Sequence, residues 1–571
     1  MSAEHRRKYG SFYTPSHVAE ALTRWAVRSC NDTVFDPSYG GCAFFEAALT
    51  VLDELECRDP ARMIFGADLD PAARNHTEEL LRRGAEPSQF ADGDFFELNP
   101  SSFPGAPFSA VVGNPPFIRY HRIPPASKAR AIGKLAEKDW AISGRASYWA
   151  YFLLYAVRFI RPGGRLAMLL PSAFLHTDYA EEVRRLLSIS FQTVYLLPIR
   201  ERLFEHTQEE VVAVCAEGAH QVDDEPVVRV GDVEKAEDLP SVLAALHHTT
   251  RVFRPRHDAG GWLRALVNPE AIAVYDRVAE SEHVVRLRDV ATPRIGVVTG
   301  NNRYFVLSDT ERRDRDLPIG AFKRVVRKLA HLPGLEGTDE EVEKRIEDGD
   351  RMLLFDPGLE HQIEPVIAYI REGEADDVHL AQKCQARDPW YRPVHTEVPP
   401  AFIHCMTASW PRIVVNRSEA TCTNNIVRLD WASADGVDDG DQPHEAWYPL
   451  ALGILSSVSQ LSAEVAGRSY GGGILKVEPS EMSRLVIPLL PLDTAKDLAR
   501  PVDTYLRDGK PELATAAVDE ALGGLFPEFG SDSVRLVRSA RDALFLRRRQ
   551  HREDARRIIE AYSRPAEEGE A

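Results

Sequence analysis

Residues 109–120 read SAVVGNPPFIRY. Ala110, Val111 and Val112 have the apolar, β-branched character of a buried strand, and they run straight into Gly113, Asn114, Pro115, Pro116 and Phe117. Two adjacent prolines remove two backbone donors, so the strand ladder ends there. An amide side chain, a stiff backbone and an aromatic ring are thereby presented together at one edge. Similar apolar runs occur on either side: TVFDPSYG (33–40), MIFGADLD (63–70), GGRLAMLLPSAFL (163–175), FQTVYLLPIR (191–200) and EEVVAVCAE (209–217). Helical patterns at 16–29, 42–55, 147–161 and 179–188 fall between them. This alternation predicts an α/β fold, a doubly wound and mostly parallel sheet with crossover helices, over residues 1–225. Such sheets bind ligands beyond the carboxyl ends of their strands. Four of the runs end in polar or glycine-rich tails, so they point at one crevice.

The chain of 571 residues has room for several domains. Residues 226–264 include the acidic HQVDDEPVVRVGDVEKAEDLP (220–240) and read as a connecting region that could hold a strand. Residues 265–490 mix short strands, aromatic residues and turns, which predicts an α+β domain. Residues 491–571 are largely helical and end in a polar tail expected to be disordered. The net charge of -18 argues against coating nucleic acid by bulk electrostatics, although local basic surfaces remain compatible with it. No run has the roughly 18 to 20 apolar residues of a membrane span, and the seven cysteines have no paired spacing. A soluble protein of a reducing cytosol is expected, with neither a disulfide framework nor a structural metal.

Three elements line the predicted crevice before Asn114. In FDPSYGGCAFFEAAL (35–49) a strand ends at Asp36, turns through Gly40 and Gly41, and opens a helix whose amides face the crevice. GADLDP (66–71) places Asp68 and Asp70 at a strand tip. Asp70 suits a helix N-cap before Pro71, which leaves Asp68 to accept from ribose hydroxyls. In ADGDFFEL (91–98) Asp94 could accept from an adenine amino group and Phe95 could stack on the ring.

With these three, the fourth element GNPPF (113–117) resembles the class I methyltransferases that modify an exocyclic amine, mainly adenine N6 in DNA. Near the N-terminus, GSFYTP (10–15) looks like the segment these enzymes close over their cofactor. Gly40 and Asn114 are too close in sequence for a recognition domain between them, so the order is that of the gamma group, which includes the TaqI enzyme. The resemblance implies S-adenosyl-L-methionine as cofactor, held by Tyr13, Thr14, Asp36, Ser38, Gly40, Asp68, Leu69, Asp94 and Phe95. It implies Asn114, Pro115, Pro116, Phe117 and Phe204 as the catalytic set. An exocyclic amine is a poor nucleophile because its lone pair is delocalised into the ring. Two fixed acceptors, the Asn114 side-chain oxygen and the Pro115 carbonyl, would pull it toward tetrahedral geometry without a base or a metal. Phe117 would stack on a base swung out of the duplex, and Phe204 in IRERLFEHTQEEVVAV (199–214) would cover its other face. Core packing is the alternative for either phenylalanine, less favoured for Phe117 because it follows Asn-Pro-Pro than for Phe204, and Phe152 reads as core. The glycine turn departs from the family's Asp-Pro-Ala-Cys-Gly-Ser-Gly, with Tyr39 replacing the cysteine and Cys42 the last glycine.

In the C-terminal half, VVTGNNRYFVLS (297–308), PRIVVNRSEATCTNN (411–425) and RSYGGGILKVEPSEMSRLVIPL (468–489) resemble segments of SalI-like adenine DNA methyltransferases. Asn301, Asn302 and Arg303 could read base edges or form an ordinary polar turn. YGGGILK (470–476) could approach phosphates through Lys476 or be an inter-domain turn. The arginines of RLVRSARDALFLRRRQHREDARR (535–557) read as a solvated face, with phosphate contact as the alternative. The expected activity is site-specific methylation of double-stranded DNA by a monomer, paired with a separate restriction endonuclease. A fused nuclease is not expected, since the cofactor-closing segment starts at about residue 10 and DEEVEK (339–344) reads as an exposed acidic helix. A protein glutamine methyltransferase would not need so long a C-terminal half, and a non-catalytic recognition subunit would lack the intact Asn-Pro-Pro-Phe. Cytosine N4 stays open as a target, although Asn at the first motif position leans to adenine.

Overall fold

The computed structural model describes residues 14–177, 179–201, 203–204, 210–221, 227–254, 262–432, 443–470 and 473–549. The chain forms two compact units, Met1–Leu266 and Val267–Ala571. The first is built on nine strands: β1 (Val34–Asp36), β2 (Ile64–Asp68), β3 (Phe90–Asp92), β4 (Phe108–Gly113), β5 (Ile160–Pro171), β6 (Phe191–Ile199), β7 (Val211–Ala219), β8 (Val227–Val230) and β9 (Arg251–Phe253). Their order is β3-β2-β1-β4-β5-β7-β6-β8-β9. β7 runs antiparallel to both neighbours and β9 antiparallel to β8, while the other pairs are parallel. This is the class I methyltransferase fold.

The unbroken apolar runs follow from this layout. All six residues of β4 are buried, yet alternate side chains enter different cores. Phe108 and Val111 join a cluster with Trp149, Phe152 and Phe174. Ala110 and Val112 join one with Leu22, Phe45 and Leu52. A strand covered on both faces needs apolar residues at every position. The longer helices are α1 (Ser16–Ala26), α2 (Ala43–Glu54), α3 (Pro125–Ala136), α4 (Tyr148–Ala156) and α5 (Tyr179–Ser190), the last three crossing on the Trp149 side or flanking it. Four of these fall on the helical patterns of the sequence; α3 does not.

Residues 227–253, within the segment read as a connection, add β8 and β9 to the sheet. The second unit contains a five-stranded sheet in the order Ala291–Ile295, Ile426–Trp431, Ala401–His404, Ile413–Arg417, Glu336–Thr338. Three long helices close it: α6 (Leu492–Arg507), α7 (Pro511–Leu525) and α8 (Ser531–Arg548). No helix among the described residues is long and apolar enough to cross a membrane.

Candidate active site

The tips of β1, β2 and β4 and the turn after β3 meet at the carboxyl edge of the sheet, where the first crossing from β1 to β4 leaves a crevice. Asp36 ends β1 almost fully buried, and its Oδ1 accepts the Ser38 N–H at 2.9 Å. Burial pushes its carboxyl up to about 8, opposed by the Ser38 amide and reinforced by the nearby Asp68 charge. The bare Cα of Gly113 makes room for it: a Cβ there would lie 2.8 Å from Asp36 Oδ1. The glycine before Asn114 is therefore a packing requirement of β1.

Asp68 receives two backbone amides. Its Oδ2 accepts from Gly40 and its Oδ1 from Asp70, both at 2.8 Å. Desolvation raises its pKa, and the Asp70 and Gly40 amides counter that shift. Asp68 thus ties the glycine turn of β1 to the tip of β2. Asp70 caps the next turn by accepting from Ala72 N–H, as its position before Pro71 predicts. Leu69, between Asp68 and Asp70 in sequence, is 52% exposed.

The atypical turn is left-handed at two positions. Gly40 has φ 45° and Cys42 φ 64°, so Cys42 adopts the left-handed backbone that a glycine would. The Tyr39 ring turns under the turn and stacks on Phe45, with centroids 4.9 Å apart.

Asn114 is reached from both sides. Its Nδ2 donates to the buried Thr14 Oγ1 at 3.2 Å, and Ser38 Oγ donates to its carbonyl at 3.4 Å. Thr14, expected at the cofactor, therefore touches the Asn114 amide. Tyr13 lies outside the described residues. Pro115 is buried and Pro116 half-buried. Phe117 and Phe204 are neighbours, with ring centroids 6.3 Å apart and planes at 76°. A base held between two parallel rings needs about 7 Å, twice a contact distance of roughly 3.5 Å, so this edge-to-face pair is not yet a sandwich.

Two residues of the turn after β3 differ from expectation. Phe95 does not face the crevice; its ring is buried among Phe35, Phe152, Tyr155 and Phe159 and is unavailable for stacking. The sequence offers adjacent Phe95 and Phe96, and both are drawn into the core by the same aromatic cluster. Asp94 caps the short turn Phe95–Glu97, and its Oδ2 accepts from Arg130 Nη2 at 2.7 Å and Nε at 3.1 Å. Arg130 and Gly113 are the two participants that sequence reasoning missed. Only the glycine had a local signal, its place before Asn-Pro-Pro.

The residues present fit a nucleoside-bearing cofactor. The backbone is bare at Gly40, where a Cβ would have only the Ser38 carbonyl within 4 Å, and the carboxylates of Asp68 and Asp94 stand at the end of β2 and just beyond the end of neighbouring β3.

In the second unit, the side chains of Asn301, Asn302 and Lys476 are engaged locally. Asn301 caps a short helix, its Oδ1 accepting from Arg303 and Tyr304 N–H, and Asn302 Oδ1 accepts from Thr299 Oγ1. Lys476 pairs with Glu478 at 2.7 Å. The arginines of α8 divide: Arg535, 72% exposed and paired with exposed Asp532, is solvated as expected, whereas Arg538, Arg541 and Arg548 are half-buried or buried, and residues 550–557 of the run lie outside the described residues. Arg538 pairs with Asp519, Arg541 donates to Gln460, and buried Arg548 pairs with Glu464 and donates to the carbonyls of Ala408, Ser409 and Gly473.

Two family models match the chain: N-6 DNA Methylase over residues 1–217, and the Type II methyltransferase M.Eco57I C-terminal domain over residues 259–522. Type II methyltransferase M.AccI of Acinetobacter calcoaceticus is 19% identical, over 85% of this chain and 86% of its own length. Type II methyltransferase M.XamI of Xanthomonas campestris pv. amaranthicola is 23% identical, over 84% and 85%. The Type IIL restriction-modification enzyme MmeI in complex with DNA shares the fold at a TM-score of 0.50 and 13% identity, covering 99% of this chain and 78% of that one.

Proposed function

We propose, for a chain that belongs to the N6-adenine-type DNA methyltransferase family, that it methylates adenine N6 at a specific site in double-stranded DNA, with S-adenosyl-L-methionine as cofactor. Its order is the gamma order, with target recognition in residues 265–490 downstream of a catalytic domain in residues 1–225. It serves as the modification partner of a restriction system whose nuclease is a separate chain. The observation that carries this reading is the Asn114 amide, held on Thr14 at the carboxyl edge between the Asp36 turn and the Phe117–Phe204 pair.

The chain's own groups account for the reaction. Anchoring Asn114 Nδ2 on Thr14 directs the side-chain oxygen to act as acceptor. With the Pro115 carbonyl it takes the two N–H bonds of the target amine, and the lone pair localises on nitrogen. Pro116 stiffens the loop so that both acceptors are set before the base arrives. Phe117 stacks on the flipped base after Phe204 turns from its edge-on position. Asp68 and Asp94 hold the cofactor, which when bound supplies the methyl group as an electrophile.

Asn114→Ala tests the reading. The variant should bind S-adenosylhomocysteine like the parent and lose methyl transfer to DNA by at least about a hundredfold, the scale of a removed preorganised polar group. Mass spectrometry of nucleosides from DNA of an expressing host should show N6-methyladenine. Parental activity in the variant refutes the mechanism, and N4-methylcytosine alone refutes the base assignment.

A further inference from the structure

The carboxylate of Asp94 is engaged on both oxygens. Oδ1 accepts the Phe96 N–H at 3.1 Å, and Oδ2 accepts twice from Arg130, at 2.7 and 3.1 Å. A carboxylate oxygen offers about two acceptor positions, so Oδ2 is filled. Asp94 is buried, with its side chain 5% exposed, whereas Arg130 on α3 is 38% exposed. Arg130 also has a second carboxylate within reach: Glu97 Oε1 lies 3.3 Å from its Nε and is 59% exposed. One cation thus stands between a buried and an exposed acid, three residues apart in the same turn. The buried acid is the one whose oxygen a purine amino group would need.

We propose that Arg130 is a gate of the cofactor pocket, which closes on Asp94 when the pocket is empty of purine and moves to Glu97 when a purine amino group donates to Asp94 Oδ2. The proposal rests on the methyltransferase reading and adds a positioning residue to it. The exchange replaces two charge-assisted hydrogen bonds on Asp94 Oδ2 with one neutral N–H donor, so Asp94 stays bonded but more weakly. Its cost is the difference between a buried and an exposed ion pair, which Glu97 reduces by receiving the guanidinium near water. Closure then lowers apparent cofactor affinity by the fraction of molecules in the open arrangement. α3 begins shortly after Phe117, so the gate lies on the segment that leaves the catalytic loop.

Calorimetric binding of S-adenosylhomocysteine to the full chain tests this. Arg130→Gln should bind about threefold to tenfold tighter than the parent, and Arg130→Lys, which can serve fewer acceptor positions at once, should fall between them. Glu97→Gln should bind more weakly in the parent and make no difference in the Arg130→Gln background, because its only role is to receive Arg130. Thermal melting of each variant establishes that it is folded. Equal or weaker binding by folded Arg130→Gln and Arg130→Lys overturns the gate while leaving the cofactor site intact. A Glu97→Gln effect that persists without Arg130 overturns the exchange. Failure of the folded parent and every variant to bind overturns the methyltransferase reading, and the gate falls with it.

Discussion

Gly113→Ala places a methyl group where β4 and β1 leave no space, and its cost divides into two separable parts. The first is conformational. Gly113 has φ 155°, within a region that side chains other than hydrogen rarely adopt, and holding alanine there costs about 1–3 kcal/mol. The second is steric. The new Cβ would sit 2.8 Å from Asp36 Oδ1, 3.4 Å from its Cγ and 3.6 Å from Pro37 Cδ, so the carboxyl must move although it is buried and holds the Ser38 amide. Forcing a packed group aside costs about 1–3 kcal/mol more, giving a total of roughly 4 kcal/mol. Asp36→Ala removes the obstacle and leaves the backbone cost, so Gly113→Ala in that background should lose only the first part. The coupling of the cycle is the second part, about 1–3 kcal/mol. Hydrogen exchange read by mass spectrometry on peptides of β1 and β4 measures the opening free energy of this unit separately from the other. A Gly113→Ala cost that is the same in both backgrounds refutes the contact between the carboxyl and the bare Cα.

Two further outcomes follow from buried charge. The Asp36 carboxyl is raised to about 8 in the native state from an ordinary value of 3.8, so between those values the unfolded chain releases its proton first. The native state then binds more protons, and stability falls as pH rises through that window by up to about 1.4 kcal/mol per pH unit. Urea titrations should show Asp36→Asn gaining on the parent steadily from pH 5 to pH 8, and a difference that does not grow with pH refutes the assignment. In the second unit, Arg548 and Glu464 form a pair whose side chains are 4% and 3% exposed. Arg548→Gln should cost that unit about 3–5 kcal/mol in urea unfolding and leave the salt dependence of DNA binding unchanged. A variant of parental stability whose log-log salt slope drops by about one would instead make Arg548 a phosphate contact.

The parts of the fold legible in the sequence were those whose signal is local and repeated. β4 to β7 are long apolar runs because both faces of the sheet are covered, and α1, α2, α4 and α5 lie within a few residues of their predicted spans. β3, β8 and β9 are three or four residues each, too short for a periodicity to form, and they were found by the sheet. The site divides the same way. Asn114, Asp36, Asp68 and Asp94 stand at strand ends that the sequence marks by abrupt changes of residue type. The direction of the Phe95 ring depends on four aromatic residues distributed from Phe35 to Phe159, and the Arg130 ion pair on a helix whose own pattern marks no partner. Asn301 did carry a local signal, since an asparagine just before a short helix is a preferred N-cap, and its side chain serves that role.

The Tyr39–Cys42 turn shows why a departure in residue type need not be a departure in shape. A non-glycine residue in the left-handed region costs on the order of 1 kcal/mol, and isolated strain of that size persists only where its surroundings hold it. Cys42 is so held: its N–H donates to the Tyr39 carbonyl at 2.7 Å, its own carbonyl begins α2 by accepting from Glu46, and its side chain is buried. Tyr39 contributes through the same turn, because its ring fills the space beneath it against Phe45 and over Gly66, where a Cβ would approach the ring to 2.9 Å. What faces the crevice is still backbone: Gly40 keeps a positive φ and its amide still meets Asp68. The substitutions therefore change what supports the turn from below, while the surface that a ribose or a methionine chain would touch keeps its glycine geometry.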